Sequence, residues 1–170
     1  MPFQRFSLKN TFIQLHVRPA LLSFENSFQV QKNIVCNSLC KKSEIPPKFY
    51  HSKQGKPMCN VTSYSVSHDG DYYVVAVTEN SSVLNIGVDI VDCRRHINLS
   101  DFSPFFTAQE LSFNNTREFF KMWARKEAEA KVSGEGIWLK LGSEKRVDKE
   151  NVHTVFFEID ENHICAVAVA

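Results

Sequence analysis

Long hydrophobic runs are missing from this chain of 170 residues. No apolar stretch approaches the roughly 20 residues that a transmembrane helix needs, so we expect no membrane partner. The first 24 residues hold three basic residues and no acid, a composition similar to that of a transit peptide. The long apolar core of a secretory signal is also missing. Secretion is therefore not expected, and targeting to an organelle stays open as an alternative.

Regularly spaced cysteine pairs are missing as well. The five cysteines, at positions 36, 40, 59, 93 and 165, are scattered and odd in number, which argues against a disulfide framework. Cys36 and Cys40 have no second pair nearby at metal-ligand spacing, which argues against a zinc site. These absences indicate a reducing compartment, and we expect a cytoplasmic protein.

The composition is that of a globular protein with an uneven distribution of charge. Hydrophobic residues make up 43% and charged residues 23%, and the length fits one domain or two small fused lobes. Residues 1–60 hold nine Lys or Arg against two acids, whereas residues 61–170 hold eleven against seventeen. This asymmetry suggests an anionic partner bound at the junction, with a solvated basic flank as the alternative.

Two similar hairpins are predicted from alternating β-rich runs. One spans residues 62–78 around His68-Asp69-Gly70-Asp71, and the other joins Val152–Ile159 to His163–Val169 around an acidic tip. Because the second strand of each follows an acidic turn, we interpret them as a weak internal repeat of two lobes. Further predictions are a strand over Phe12–Val17, a short helix within 24–42, a buried strand over Leu84–Val91, a capping box at Thr107 and Glu110 opening a short helix, and a loop or irregular edge strand over 137–150.

The stretch from Asn115 to Gly136 predicts one long helix, begun by Asn115 or Thr116 and ended by its glycines. Helical spacing places Phe120, Trp123, Glu127 and Lys131 on one narrow stripe. An acid and an ammonium group on an apolar stripe need a partner. Either they form a salt bridge with each other at the edge of the core, or they meet a metal or a charged ligand.

Asp89 is a second misplaced charge, since it lies inside the apolar strand. It is either satisfied by backbone donors or it converges with Glu127, if strand and helix pack together. Two carboxylates with water in the other positions suit Mg²⁺, which is usually completed by substrate phosphates. Lys131, one turn after Glu127, would then point toward the same phosphates.

Four stretches resemble the 4'-phosphopantetheinyl transferases in order and spacing. They are Gly55-Lys56-Pro57, Ser67-His68, Gly87-Val88-Asp89 and the segment 123–131, which carries Trp123, Lys126, Glu127 and Lys131. The last two correspond to the family's two-part signature, and the resemblance covers roughly residues 53–137. The first two resemble the larger, pseudo-dimeric, surfactin-synthetase-activating branch more than the short trimeric synthases.

The resemblance implies an α+β fold of two similar α/β lobes, in which each antiparallel sheet packs against a long helix. We expect the lobes at 1–83, on the basic coenzyme A side, and 84–170, with the metal-site motifs. The implied reaction moves phosphopantetheine from coenzyme A to a serine of an apo acyl or peptidyl carrier protein, as in holo-acyl-carrier-protein synthases. It depends on Mg²⁺ and releases adenosine 3',5'-bisphosphate. The implied protein is a monomer with no nucleic acid partner.

The same resemblance implies roles for individual residues. Asp89 and Glu127 look like the Mg²⁺ ligands, and Glu127 is the expected base for the serine proton. Lys131 looks like the residue that neutralises the pyrophosphate or protonates its leaving oxygen. Four residues look like coenzyme A contacts or neighbours of the metal ligand: Lys56, Ser67, His68 and Lys126. Trp123 is expected to pack the helix against the strand.

The chain also departs from the family pattern. Val91 stands where many members of the larger branch have a third acid, and Asp92 is a second candidate that alternation turns to the other face. Residues 1–52 are shorter than that branch predicts, and its nucleotide contacts could be Arg18, Lys32, Lys41, Lys42 or Lys48, or these could be solvated. Two alternatives follow: a non-catalytic carrier-protein-binding module with an incomplete nucleotide site, and an unrelated Mg²⁺-dependent phosphohydrolase.

Overall fold

A computed structural model describes residues 3–9, 11–19, 24–39, 45–79, 85–107, 110, 115–134 and 151–170. Its strands are β1 (Gln4–Leu8), β2 (Thr11–Pro19), β3 (Phe49–His51), β4 (Pro57–Cys59), β5 (Tyr64–Asp69), β6 (Tyr72–Thr78), β7 (Ile86–Asp92), β8 (His153–Glu158) and β9 (His163–Val169). Its helices are α1 (Phe24–Ser38), a 3₁₀ helix (Leu99–Phe105) and α2 (Thr116–Ser133). The mixed α+β class with antiparallel sheets is confirmed.

The first sheet has the strand order β1-β2-β6-β5 and is antiparallel throughout. The predicted strand over Phe12–Val17, the helix within 24–42 and the hairpin over 62–78 are confirmed as β2, α1 and β5–β6. Gly70 has a φ of 52° at the hairpin tip, a conformation that favours glycine. α1 packs Ile34 and Val35 against Val75 and Val77 of β6. The short β3–β4 hairpin was not predicted.

The second sheet has the order β7-β9-β8, so β9 is its central strand. Its hairpin β8–β9 confirms the second predicted hairpin, and β7 begins at Ile86 rather than Leu84, which lies outside the described residues. All seven residues of β7 are buried, as its continuous apolar run predicts. Register pairs Asp89 with Ala166 and Asp92 with His163.

The two sheets share a core. Side chains of β2, β6, β7 and β9 form one buried cluster, whose members include Leu15, Val74, Val88 and Val167. The packing of this cluster joins the two predicted lobes. The similarity of the two lobes to each other, and the boundary between them at residues 83 and 84, stay predictions.

α2 has the boundaries that its capping residues dictate. The Asn115 side chain accepts a hydrogen bond from the Glu118 backbone N–H at 2.9 Å, and Gly134 ends the helix with a φ of 74°. The predicted helix is therefore confirmed, and Gly134 is the glycine that ends it. Its small residues Ala124 and Ala128 pack against β9 at Ala166 and Ala168.

Two predictions reach segments outside the described residues. The loop or edge strand over 137–150 lies there, as does most of the short helix after Thr107. The capping box itself is formed, because Thr107 N donates to Glu110 Oε2 at 2.8 Å and Glu110 N donates to Thr107 Oγ1 at 3.3 Å. Within the part of the chain that is described, no helix is long and apolar enough to cross a membrane.

Candidate functional site

A cleft of about 400 Å³ lies where β5, β7 and α2 meet. Its polar lining includes Ser67, His68, Asp89, Arg95, Glu127 and Lys131, and its apolar wall includes Phe102, Phe119 and Trp123. The structure therefore brings together five of the seven predicted site residues. A cleft with converging charged groups and one apolar wall is typical of a ligand-binding site.

Asp89 is the buried anchor of this cleft. Its Oδ1 accepts hydrogen bonds from Ser67 Oγ at 2.8 Å and from Lys131 Nζ at 2.7 Å. Ser67 reaches it because β5 lies beside β7, an arrangement also marked by Val88 N, which donates to Ser65 Oγ at 3.1 Å. Side-chain donors thus satisfy Asp89, in place of the backbone donors considered as an alternative.

Glu127 faces the same cleft from α2. Its pKa is raised, chiefly by burial and further by the negative charge of Asp89, while Lys131 opposes the rise. The Lys131 ammonium forms an ion pair with Asp89. The structure therefore favours this pair over the alternative salt bridge between Glu127 and Lys131. Among the described residues, the Glu127 side chain has no hydrogen-bonding partner.

Asp89 and Glu127 fit a divalent cation. No group of three His, Cys, Asp or Glu side chains gathers as a metal cluster in the described ranges. Mg²⁺ does not require one, because it is usually held by one or two carboxylates and completed by water and substrate phosphates. Both side chains line the same cleft, and besides burial the negative charge of Asp89 raises the pKa of Glu127.

Gly87 explains how α2 comes so close to β7. A Cβ at this position would lie 1.9 Å from the Ala128 carbonyl oxygen and 2.9 Å from Val132 N. Only glycine fits against a helix backbone at this distance. The close approach brings Glu127 and Lys131 of α2 to the Asp89 side of the strand.

A charged network holds the hairpin tip that carries His68. Asp69 Oδ2 accepts from Asp92 N at 2.9 Å, and Arg95 forms an ion pair with Asp69. Arg94 pairs with Asp92 at 2.7 Å and holds the pKa of Asp92 below its usual value. Asp92 is thus engaged beside the cleft and is not part of its described lining.

Arg95 was missed as a lining residue. Sequence patterns place it in a loop after the strand, and the ion pair that brings it to the cleft joins residues far apart in the chain. The sequence did offer one signal: Arg95 is positively charged, and Asp69 at the predicted hairpin tip is a negatively charged partner for it. Val91, at the position of the expected third acid, also lines the cleft.

Lys56 and Lys126 lie outside the described lining of the cleft. Lys56 Nζ donates to the carbonyl oxygens of Lys131 at 2.6 Å and Ile86 at 3.0 Å, and burial lowers its pKa to about 8. Lys126 pairs with Glu110 at 2.9 Å and lies over the Phe106 ring. Their contacts to coenzyme A stay predictions.

Trp123 is a packing residue, as predicted, but its closest ring contacts are with the 3₁₀ helix rather than with the strand. Its ring lies edge-on to Phe102 and Phe105 of the 3₁₀ helix, with centroids 5.0 and 5.2 Å apart. Edge-to-face contacts of this kind favour one fixed arrangement of the rings. Trp123 therefore joins the 3₁₀ helix to α2 and forms part of the apolar wall.

Comparison with known proteins agrees with this geometry. Residues 85–168 match the family model of the 4'-phosphopantetheinyl transferase superfamily. The chain is similar to this superfamily over 84 of its 170 residues. The region that matches the 4'-phosphopantetheinyl transferase model contains Asp89, Glu127 and Lys131, and the predicted resemblance to the family is confirmed. The surfactin-synthetase-activating branch stays a prediction.

A curated phosphopantetheinyl transferase is similar over much of the chain. It is the L-aminoadipate-semialdehyde dehydrogenase-phosphopantetheinyl transferase of Schizosaccharomyces pombe, 26% identical over 157 residues. The match covers 79% of this chain and 58% of that relative. The chain thus spans little more than half the length of the relative.

Proposed function

We propose that this protein transfers the 4'-phosphopantetheine group of coenzyme A to a serine of an apo carrier protein. The observation that carries the proposal is the convergence of Asp89, Glu127 and Lys131 on one cleft in a chain similar to this superfamily. Adenosine 3',5'-bisphosphate is the other product. The chain is similar to a transferase over most of its own length, which supports the same reaction.

Glu127 is the proposed base. The serine oxygen attacks the β-phosphorus of coenzyme A, a new P–O bond forms, and the bond to the bisphosphate leaving group breaks. Glu127 accepts the serine proton, directly or through a water. Its position supports this role, because its carboxylate faces the same cleft as Asp89 and Lys131, and a positioned carboxylate can accept a proton from the attacking group.

The remaining residues bind and orient the reactants. Asp89 and Glu127 would hold Mg²⁺, which supplies neutralisation of charge on the pyrophosphate and keeps the reactants in line. Lys131 contributes a positive charge at the same place. His68 is exposed at the rim and can contact a coenzyme A phosphate from there.

The test is the intact mass of purified apo carrier proteins after incubation with the protein, coenzyme A and Mg²⁺. The expected result is a gain of one phosphopantetheine, lost with excess EDTA and restored by added Mg²⁺. Fatty-acid, polyketide and peptidyl carriers form the panel. L-Aminoadipate-semialdehyde dehydrogenase joins it because the S. pombe relative bears that name.

The controls separate transfer from binding alone. Glu127→Gln is the slow control, and over the time in which the wild type completes transfer it should leave nearly all of the carrier at its apo mass. A wild-type protein that leaves every carrier unchanged, while still binding one of them in a pull-down, would favour the non-catalytic binding module. The proposed transfer would then be wrong.

A further inference from the structure

The Lys131 ammonium is fully engaged within the cleft. Its Nζ donates to Asp89 Oδ1 at 2.7 Å, to Ser67 Oγ at 3.0 Å and to the Val88 carbonyl oxygen at 3.1 Å. A lysine ammonium has three N–H donors, and these three acceptors account for all of them. Lys131 therefore points at its own protein rather than at the open space of the cleft.

The ion pair with Lys131 neutralises the carboxylate that would receive a divalent cation. The Asp89 side chain is 9% exposed and that of Lys131 is 30% exposed, so water and salt screen this pair only partly. A divalent cation on Asp89 would lie beside the ammonium and be repelled by it. Both side-chain hydrogen bonds of Asp89 within the described residues fall on Oδ1, which places the ammonium against the carboxylate that the cation would bind.

We propose that Lys131 and the divalent cation compete for Asp89, and that the pyrophosphate of coenzyme A relieves the competition by drawing the ammonium away. The cation and coenzyme A then load together, and the empty cleft binds the cation weakly. This inference rests on the proposed function. Lysine suits the role because its flexible stem can move the charge between two anions. Reciprocity of linked binding requires that each ligand raise the affinity for the other.

The first test measures cation binding without coenzyme A and without a carrier protein. Mn²⁺ is the probe, because it prefers the same hard oxygen ligands as Mg²⁺ and its free form is counted by electron paramagnetic resonance. Lys131→Met removes the charge but keeps a side chain of similar length. We expect it to bind Mn²⁺ about tenfold more tightly than the wild type, within the usual range of coupling between two sites.

Lys121→Met is the matched control. It removes the same charge from the same helix, but Lys121 is exposed and lies over the Phe156 ring, away from the described lining of the cleft. Its Mn²⁺ affinity should equal that of the wild type. Equal or weaker binding by Lys131→Met, or no binding by either protein, would overturn the inference.

A second measurement uses the unaltered chain, so it does not depend on the folding of a variant. In crystals grown with Mn²⁺ and coenzyme A, Lys131 Nζ should lie beyond hydrogen-bonding distance of Asp89 Oδ1 and contact the pyrophosphate. An Nζ still bonded to Asp89 in that complex would contradict the inference. The carrier-mass assay is separate: if transfer occurs while these results fail, only the competition is wrong.

Discussion

Gly87 and Ala128 bring strand and helix into contact through their backbones. A Cβ on Gly87 would come within 1.9 Å of the Ala128 carbonyl oxygen, a distance that no side chain can occupy. Ala128 follows Glu127 directly, so the contact fixes the height at which the Glu127 carboxylate faces β7. The same close contact between backbones thus explains both the glycine of the strand motif and the alanine of the helix motif.

Gly87→Ala should destabilise the protein by about 3 kcal/mol or more, at the upper end of what overpacking costs, because the clash is with main-chain atoms that cannot rotate away. Urea unfolding measures it. Gly55→Asn is the control: Gly55 has a φ of 84°, a Cβ there meets nothing within 4 Å, and asparagine tolerates this backbone region. A Gly87→Ala protein as stable as the control would show that the close approach is not required.

Glu127→Gln should lower transfer by about 10²–10⁴-fold, the usual contribution of a general base. The side chain keeps its volume, so the circular dichroism spectrum should not change. Intact-mass time courses with saturating coenzyme A and Mg²⁺ measure the rate. Wild-type transfer by this variant would remove Glu127 from the proposed mechanism.

The stability of the metal-free protein should depend on pH through Glu127. Because its folded-state pKa is raised above 4.5, the folded protein binds this proton more tightly than the unfolded chain. The resulting penalty is absent in acid and appears as pH rises through the folded-state pKa. Wild type should therefore lose stability relative to Glu127→Gln as pH rises above 4.5, as measured by urea unfolding in EDTA. A difference that does not vary with pH would count against the raised pKa.

Lys56→Met should lower the free energy of unfolding by about 1–3 kcal/mol, since it leaves helix-end carbonyl groups without their donor. Burial lowers the folded-state pKa from 10.5 to about 8, so between these values the unfolded chain binds more protons and stability rises with pH. The free energy of unfolding of the wild type should therefore rise relative to that of Lys56→Met as the pH increases from about 8 to 10.5. The exposed Lys53→Met is the control. A weaker affinity for coenzyme A with unchanged stability would instead assign Lys56 to the ligand.

His68→Ala should raise the KM for coenzyme A more than it lowers kcat. His68 is exposed at the rim of the cleft and would lose a binding contact rather than a group that moves protons. His96→Ala, an exposed histidine outside the described lining, serves as control. Steady-state kinetics at varied coenzyme A measure both constants, and an unchanged KM in His68→Ala would rule out the contact.

Local patterns predicted the elements of the fold well. The hairpin around Gly70 and the cap at Asn115 depend on residues close in sequence, which carry their own signals. The pairing of Lys131 with Asp89 could not be read from helical periodicity, which offered Glu127 as the nearer partner. That choice depends on how closely the helix approaches the strand. The contacts of Lys56 and Lys126 also depend on tertiary packing, so their places in the sequence motifs do not predict them.

The order of strands in the second sheet has a consequence for biosynthesis. β7, which carries Asp89, pairs along the sheet with β9, a strand that is translated after α2 and β8. Until β9 leaves the ribosome, β7 is an apolar segment without its partner, and such unpaired strands are prone to aggregate. Newly made chains therefore depend on the late pairing of β7 with β9, two strands far apart in the chain. The yield of active protein in a cell should increase when more chaperone is supplied.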